Sequence, residues 1–367
     1  PIGEFESLYR KAFEAGYLTM LSMKKILDKH SDYNLVTANG KFIQSGIPVE
    51  LMQAANRSYY TYEVFGQGNG VILDKNCCSL EQRMDKVWDE LKDSSLSADA
   101  LSKLYHSFDL QQKSLSSEFD LWDENRIDDD KEIVSMLGLD LKKKIYVCYP
   151  NVYWDSIHFG LKGVSANLTD WLITMIKFAE DNEGIQLVIR CHPGEVKVSK
   201  LLQSKFTMLD TLCDAFDVMP ANVRLIEPES NISSYSLARI ADANLVWNGT
   251  IGLEIALRGI KPIVVADAYF SSKGFTVDFT ELEKLTDYLL NLESKAVINE
   301  VEKRLLEIFC YHVRFNRKFN PPFYSGAWSL FYRFSQIGPG KNETLDNMVG
   351  FFLDQNSYLN IGNFNFE

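Results

Sequence analysis

The 367-residue chain lacks three things that would have placed it at once: cysteines at zinc-like spacing, a long apolar run and a surplus of positive charge. Each absence excludes a class. The six cysteines include an adjacent pair, Cys77-Cys78, which makes a poor disulfide, so reduced thiols in a cytoplasmic protein are the simplest reading. No apolar stretch approaches the roughly 18 residues of a membrane span. A net charge of −12 argues against nucleic acid as a partner, because a phosphate backbone requires a basic footprint. Neither a G-x-G-x-x-G fingerprint nor a P-loop ending in Gly-Lys-Ser/Thr occurs, so nicotinamide cofactors and ATP hydrolysis are unsupported. No Asp-x-Asp motif stands at a strand exit, and neither a metal nor a cofactor is expected.

The remainder is ordinary for a globular α/β protein, with 46% hydrophobic and 24% charged residues and a length that suits two domains. Periodicity predicts a helix over 6–29, a strand over 33–37, a helix over 49–58 and a strand over 59–65 that runs into a flexible loop at 66–70. Residues 80–118 read as polar helix. The acidic stretch 118–132, with Asp128-Asp129-Asp130, reads as a solvated linker whose carboxylates favour a helix start. From Lys142 the pattern changes. Strands at 145–149, 185–189, 222–226, 243–247 and 262–265 alternate with helices at 168–179, 234–240 and 251–257, which implies βαβ units and a parallel sheet.

Three regions follow: an N-terminal Rossmann-like domain with a helical linker over 1–140, a complete doubly wound domain over 141–300, and C-terminal helices and tail over 301–367. The first shows only two strands and is expected to be truncated or reduced. Its opening residues, Pro1 to Phe5, read as a cloning remnant. Residues 300–336 interleave basic and aromatic side chains, among them His312, Arg314, Arg317, Phe319 and Trp328. They suit a helix packed back across the domains, or a peripheral contact with a sugar or membrane surface.

The chemistry concentrates where strands become loops. Leu187 to Ile189 delivers Arg190 and His192 into the turn Pro193-Gly194-Glu195. An imidazole and a guanidinium there suit a phosphate oxygen. A second apolar run, Ala243 to Trp247, ends in Asn248-Gly249-Thr250 before a helix, where backbone N–H groups and a hydroxyl can hold an anion. In open α/β sheets ligands bind outside the carboxyl ends of the strands, so these exits are expected to be neighbours sharing one pocket. Glu254, one turn beyond Thr250, suits ribose hydroxyls. After the first strand of this domain come Asn151, Trp154, Asp155 and Ser156. A carboxylate beside a sugar-stacking aromatic can act as base or as nucleophile toward an anomeric carbon. Glu63, ending a strand of the first domain, is a second candidate base. Each also has a plainer role: cap, strand-end histidine or solvated carboxylate.

Taken together, Tyr149-Pro-Asn-Val-x-Trp-Asp155-Ser, Leu187-Val-Ile-Arg-x-His-Pro-Gly-Glu195 and Asn248-Gly-Thr-x-Gly-x-Glu254-x-Ala-x-x-Gly259-x-Lys261-Pro262 resemble bacterial capsule polysaccharide biosynthesis glycosyltransferases, including those that use CMP-Kdo. The resemblance covers about residues 140–280. It implies a GT-B fold of two Rossmann-like domains, with the donor nucleotide on the C-terminal one. His192 and Thr250 would contact donor phosphate, with Arg190 and Asn248 beside them and Glu254 near the nucleotide. Kdo-transferring relatives carry Gln-x-x-x-Asp-Ser, where this chain has Asn151 followed by Asp155-Ser156.

The expected function is therefore metal-independent transfer of a sugar, with Kdo among the candidates, from a nucleotide donor to a surface or capsular glycan. The acceptor can be lipid-linked, at the inner face of the membrane. Three rivals stand beside it: a CDP-glycerol-type polyol-phosphate transferase, a nucleotide-sugar epimerase on the same fold, and a non-catalytic glycan-binding subunit.

Overall fold

Strands buried on both faces are chiefly apolar, as Lys144–Tyr149 and Ile185–Arg190 are apart from Lys144, Gln186 and Arg190. They sit at the middle of a six-stranded parallel sheet in the computed structural model, which describes residues 2–65, 70–112, 125–152, 155–158, 160–196, 205–320 and 338–353. The fold is α/β, as the alternating pattern indicated. It divides into two units, one formed by 1–87 with 312–365 and the other by 88–311 with the last two residues. The boundaries at 140 and 300 drawn from sequence pattern differ from this division. The reason is that Ala98–Gln112 packs on Glu300–Tyr311, and Asp130–Leu137 and Glu300–Tyr311 pack respectively on Ser234–Ile240 and Ile251–Ala256 of the second unit.

The first unit opens with α1 (Ile2–Lys29), β1 (Leu35–Ala38), α2 (Ile43–Ala54), β2 (Tyr59–Phe65) and β3 (Gly70–Lys75). β1 runs parallel to β2, with Leu35 opposite Tyr59, and β3 runs antiparallel, with Phe65 opposite Gly70. β3 was not expected. The glycine-rich run before it read as a loop leading away, whereas its flanks pair as a hairpin; residues 66–69 themselves lie outside the described residues. α2 begins at Ile43, earlier than expected, and takes Pro48 inside its first turns.

The second unit begins within α3 (Asp85–Leu91) and continues through α4 (Ala98–Gln112) and α5 (Asp130–Leu137). Then come β4 (Lys144–Tyr149), α6 (Leu168–Glu180), β5 (Ile185–Arg190), α7 (Met208–Ala215), β6 (Val223–Ile226), α8 (Ser234–Ile240), β7 (Ala243–Val246), α9 (Ile251–Ala256), β8 (Ile263–Val264), β9 (Val277–Asp278), α10 (Leu282–Leu290) and α11 (Glu300–Tyr311). The order across the sheet is β6-β5-β4-β7-β8-β9. Thus the chain steps outward from β4 on one side, returns, and steps outward on the other.

Local signals set the helices. Asn167 caps α6 by accepting from the Asp170 N–H at 2.9 Å, and Thr207 and Asp210 form a reciprocal capping box on α7. On α6, Leu168, Trp171, Leu172, Met175, Ile176 and Ala179 recur at three- and four-residue spacing and are all buried. They pack with Tyr146, Leu187, Ile189 and Leu245 of the sheet. Each such side chain contributes roughly 1.5–3 kcal/mol by leaving water, so a charge at Leu172 would break this layer. Trp171 stacks on Trp247 with ring centroids 5.6 Å apart, tying the helix to the β7 exit.

Past α11 the chain rejoins the first unit. Phe319 bridges Val71 antiparallel, Arg317 pairs with buried Asp74 at 2.8 Å, and α12 (Glu343–Phe352) lays Phe351 and Phe352 against Tyr60. His312, Arg317 and Phe319 are buried here, so these members of the basic-aromatic segment are not available to a membrane or sugar surface. Residues 321–337 of that segment lie outside the described residues. No helix among the described residues is long and apolar enough to cross a membrane.

Candidate functional site

Parallel register brings three polar exits to one edge of the large sheet. Cys148 lies opposite both Ile189 and Leu245, so the β4 exit stands between those of β5 and β7. The β5 and β7 exits are therefore not neighbours, as expected from sequence, but flank a third strand. Strands lie about 4.8 Å apart, which puts the outer two exits about 10 Å apart. The interval between β4 and β7 is also where the strand order reverses direction, the switch point at which open α/β sheets hold ligands.

The β4 exit is a tight turn built on Asp155. Its Oδ1 accepts from the Ile157 N–H at 3.1 Å and its Oδ2 from the Asn151 amide at 3.3 Å. Asn151 in turn accepts from the Val152 N–H at 2.7 Å. Asn151 and Asp155 are thus brought together, four residues apart, with Ser156 opening the short 3-10 turn Ser156–His158. His158 bonds the Val152 carbonyl through Nε2 at 3.0 Å, and burial lowers its pKa; its role is to brace the turn. Trp154 lies outside the described residues.

At the β5 exit the His192 ring turns back on its own loop. Its Nδ1 accepts from the Gly194 N–H at 2.9 Å, capping the 3-10 turn Pro193–Glu195. A Cβ on Gly194 would fall 2.9 Å from that Nδ1 and 3.2 Å from Val152 Cγ2, so glycine is what lets the two loops close together. Burial, with Arg190 nearby, pushes the His192 pKa down to about 4. The ring is then neutral at physiological pH. With Nδ1 acting as acceptor, the proton sits on Nε2, which makes that atom a hydrogen-bond donor.

Arg190 is placed differently from expectation. It is buried, and its guanidinium donates to the carbonyls of Cys191 at 3.0 Å, Glu227 at 2.6 Å and Ser230 at 2.9 Å. Those bonds fasten the β6–α8 loop to the β5 exit, so Arg190 is foremost a clamp. Glu195 is fully buried, with Oε2 accepting from the Met208 N–H at 3.1 Å at the start of α7. Sequence shows residue types at an exit but not which way they turn.

At the β7 exit, the side chain of Asn248 is 4% exposed, and neither end of its amide has a hydrogen-bond partner among the described residues. A buried amide left so costs about 1–3 kcal/mol per unpaired group and calls for an explanation. Thr250 is exposed but does not cap α9 with its side chain. Its hydroxyl donates to Glu254 Oε1 at 3.0 Å, while Tyr235 donates to Oε2 at 2.6 Å. Arg258 donates to the Glu254 carbonyl at 2.6 Å and lies over the Tyr235 ring at 3.6 Å. Tyr235 and Arg258 were missed by sequence reasoning, and the only signal was Arg258 standing one helical turn after Glu254.

The acidic run is structural. Asp129 caps α5, Asp128 pairs with Arg126 at 2.8 Å, and Asp130 pairs with Arg239 at 2.7 Å. Glu63 belongs to the first unit, at the end of β2. It accepts from the Val64 N–H at 3.2 Å, and burial raises its pKa above the usual carboxylate range.

No family model matches the chain, and no curated protein does. Among solved structures it is similar to the KpsC beta Kdo 2,7 transferase of Thermosulfurimonas dismutans, at 13% identity over 78% of this chain and 79% of that one, TM-score 0.42. The UDP-GlcNAc 2-epimerase of Neisseria meningitidis, bound to UDP-GlcNAc, matches at 11% identity over 82% and 78%, TM-score 0.31. The wall teichoic acid polymerase TagF matches at 16% identity over 50% and 42%, TM-score 0.30. Likenesses this distant do not transfer an activity.

Proposed function

We propose that this chain is a metal-independent glycosyltransferase of the GT-B kind, holding a nucleotide-sugar donor at the carboxyl edge of the second unit's sheet. The observation that carries this reading is the meeting of three exits at the switch point. Asp155 with Asn151 stands at the centre, the His192 Nε2–H on one side, and the unpartnered Asn248 amide with Gly249 and Thr250 on the other. The neutral donor of His192 faces the leaving phosphate, and Asn248 gains partners from the nucleotide. Asp155 handles the anomeric centre, as base toward an acceptor hydroxyl or as nucleophile. Its two oxygens each take one hydrogen bond, which keeps the carboxylate oriented and leaves lone pairs for reaction. The motif resemblance to CMP-Kdo-using capsule transferases makes CMP the first nucleotide to test and a capsular glycan, free or lipid-linked, the first acceptor.

A thermal-shift panel with CMP, CDP, UDP, GDP and ADP, on wild type and His192→Ala, tests the donor site. A ligand that binds only the native state raises the melting point. Stabilisation by one nucleotide family, reduced in the variant, supports the reading; no shift with any nucleotide overturns it. Sugar moved to an added acceptor, rather than epimerised on the donor, distinguishes transferase from epimerase.

A further inference from the structure

We propose that α1 is the contact helix of a symmetric dimer, lying antiparallel against α1 of a second copy of this chain. One face of α1 is already used. A Cβ on Gly16 would stand 3.2 Å from Ile47 Cδ1 of α2, and Leu27 packs with Val49, Met52 and Tyr59. Beside that face runs a row with no cover. Tyr9, Phe13, Tyr17 and Leu21, spaced four apart, are 61%, 78%, 52% and 38% exposed. Single exposed apolar residues are ordinary, but an aligned row containing three aromatics marks an interaction surface.

The charges on the same side select the occupant. At 3.6 residues per turn, Glu6, Phe13, Tyr17 and Lys24 fall within about 40° of arc. Glu6 and Lys24 are both exposed and stand equally far from Ala15, the midpoint of the aromatic row. A two-fold axis at Ala15 therefore sets Glu6 against Lys24 of the second copy, twice. It also sets Phe13 against Tyr17, twice, with Tyr9 and Leu21 along the two flanks of the contact. This is the self-complementarity that an isologous contact requires. The contact so formed is about 28 Å long. A parallel pairing would put Glu6 beside Glu6. An anionic bilayer would gain no net charge on this side, where exposed Glu6 and Asp28 stand among exposed Arg10 and Lys24, whereas a second copy pairs the opposite signs. Arg10 holds only one Glu6 oxygen, Oε1, at 3.1 Å, which leaves the carboxylate able to bridge.

The test is solution mass against concentration, by sedimentation velocity or light scattering. Wild type should rise from 42.0 kDa toward twice that mass with concentration. Phe13→Glu should hold it at the monomer mass. Glu6→Lys and Lys24→Glu should each weaken association at least about tenfold, and the double swap should restore it to within about threefold of wild type, as coupled partners do. A monomer at every concentration overturns the proposal, as does a dimer indifferent to Phe13→Glu or a double swap that fails to restore. Binding to phosphatidylserine vesicles that Phe13→Glu abolishes, with the mass remaining monomeric, replaces the second copy by a lipid surface. These positions are exposed, so at concentrations where wild type is monomeric every variant should melt as wild type does.

Discussion

The Thr250 hydroxyl donates to Glu254 Oε1 at 3.0 Å, one helical turn away, so the group that sequence assigns to a ligand phosphate already serves a nearly buried carboxylate. Removing that donor takes one hydrogen bond from a nearly buried carboxylate. Thr250→Val should cost about 1–2 kcal/mol in urea unfolding, while Thr250→Ser, which keeps the hydroxyl, should stay near wild type. Tyr235→Phe removes the 2.6 Å bond to the other oxygen and should cost a similar amount. Equal stability of the valine and serine variants would show that the Thr250–Glu254 bond carries no weight.

Asp155 is positioned by the Asn151 amide and the Ile157 N–H; Asp155→Asn keeps an oxygen for the Ile157 N–H and gives up the 3.3 Å bond from Asn151, a loss the loop should tolerate. That substitution should reduce sugar transfer by at least about a hundredfold, the range of a lost acid–base group, and leave nucleotide thermal shifts intact. Asn151→Ala, which only loosens the carboxylate, should fall between. A variant Asp155→Asn with near-normal turnover would remove Asp155 from the chemistry.

Arg190 should reveal itself in stability rather than in nucleotide affinity. Its guanidinium serves three carbonyls on two loops, and burial pushes its pKa only to about 10, so it remains charged at neutral pH. Arg190→Met takes the guanidinium from all three carbonyls, leaving Glu227 with the Ser230 N–H alone, and should cost about 3 kcal/mol or more in urea unfolding. Arg190→Lys cannot reproduce the fork and should recover only part of it. If Arg190→Met kept full stability but lost nucleotide binding, the clamp would have to be reassigned as a ligand.

These cases mark what was legible in the residues. The strands of the second unit were, because burial on both faces leaves apolar runs such as Ile145–Tyr149 and Leu187–Ile189. The exits were legible too, since polar residues directly after such runs must lie at the sheet edge. Three things were not. β9 has two residues, too short for a periodic signal. β3 follows a glycine-rich run that reads equally as linker or hairpin turn. The order of strands across the sheet, which puts β4 between β5 and β7, is a tertiary choice that no local pattern encodes. Side-chain direction is of the same kind: Arg190 and His192 are two residues apart, yet one turns into the protein and the other caps its own turn.

Two histidines set the acid limit of the fold. His192 and His312 have ordinary values of 6.5 when unfolded, and burial pushes each down to about 4 in the native state. Between those values the unfolded chain binds more protons than the folded one. The stability each group contributes is therefore complete above about pH 6.5 and is lost as pH falls toward 4, by at most about 3 kcal/mol per group. His312 accepts or donates at Nδ1 with the Asn316 amide at 2.9 Å, and glutamine can keep a polar contact there without taking a proton. His312→Gln should thus lose less stability than wild type between pH 7 and pH 4.5, read as the difference in urea midpoints. The same depressed value fixes His192 as a neutral donor over the working range. The His192 contribution to nucleotide affinity, read as the ratio of wild type to His192→Ala, should accordingly stay flat from pH 8 to pH 5.5, whereas an imidazolium holding the phosphate would make it climb below 6.5; the ratio removes the phosphate's own ionisation at about pH 6. A climb of tenfold or more in that ratio would show that ligand binding draws the proton onto the ring.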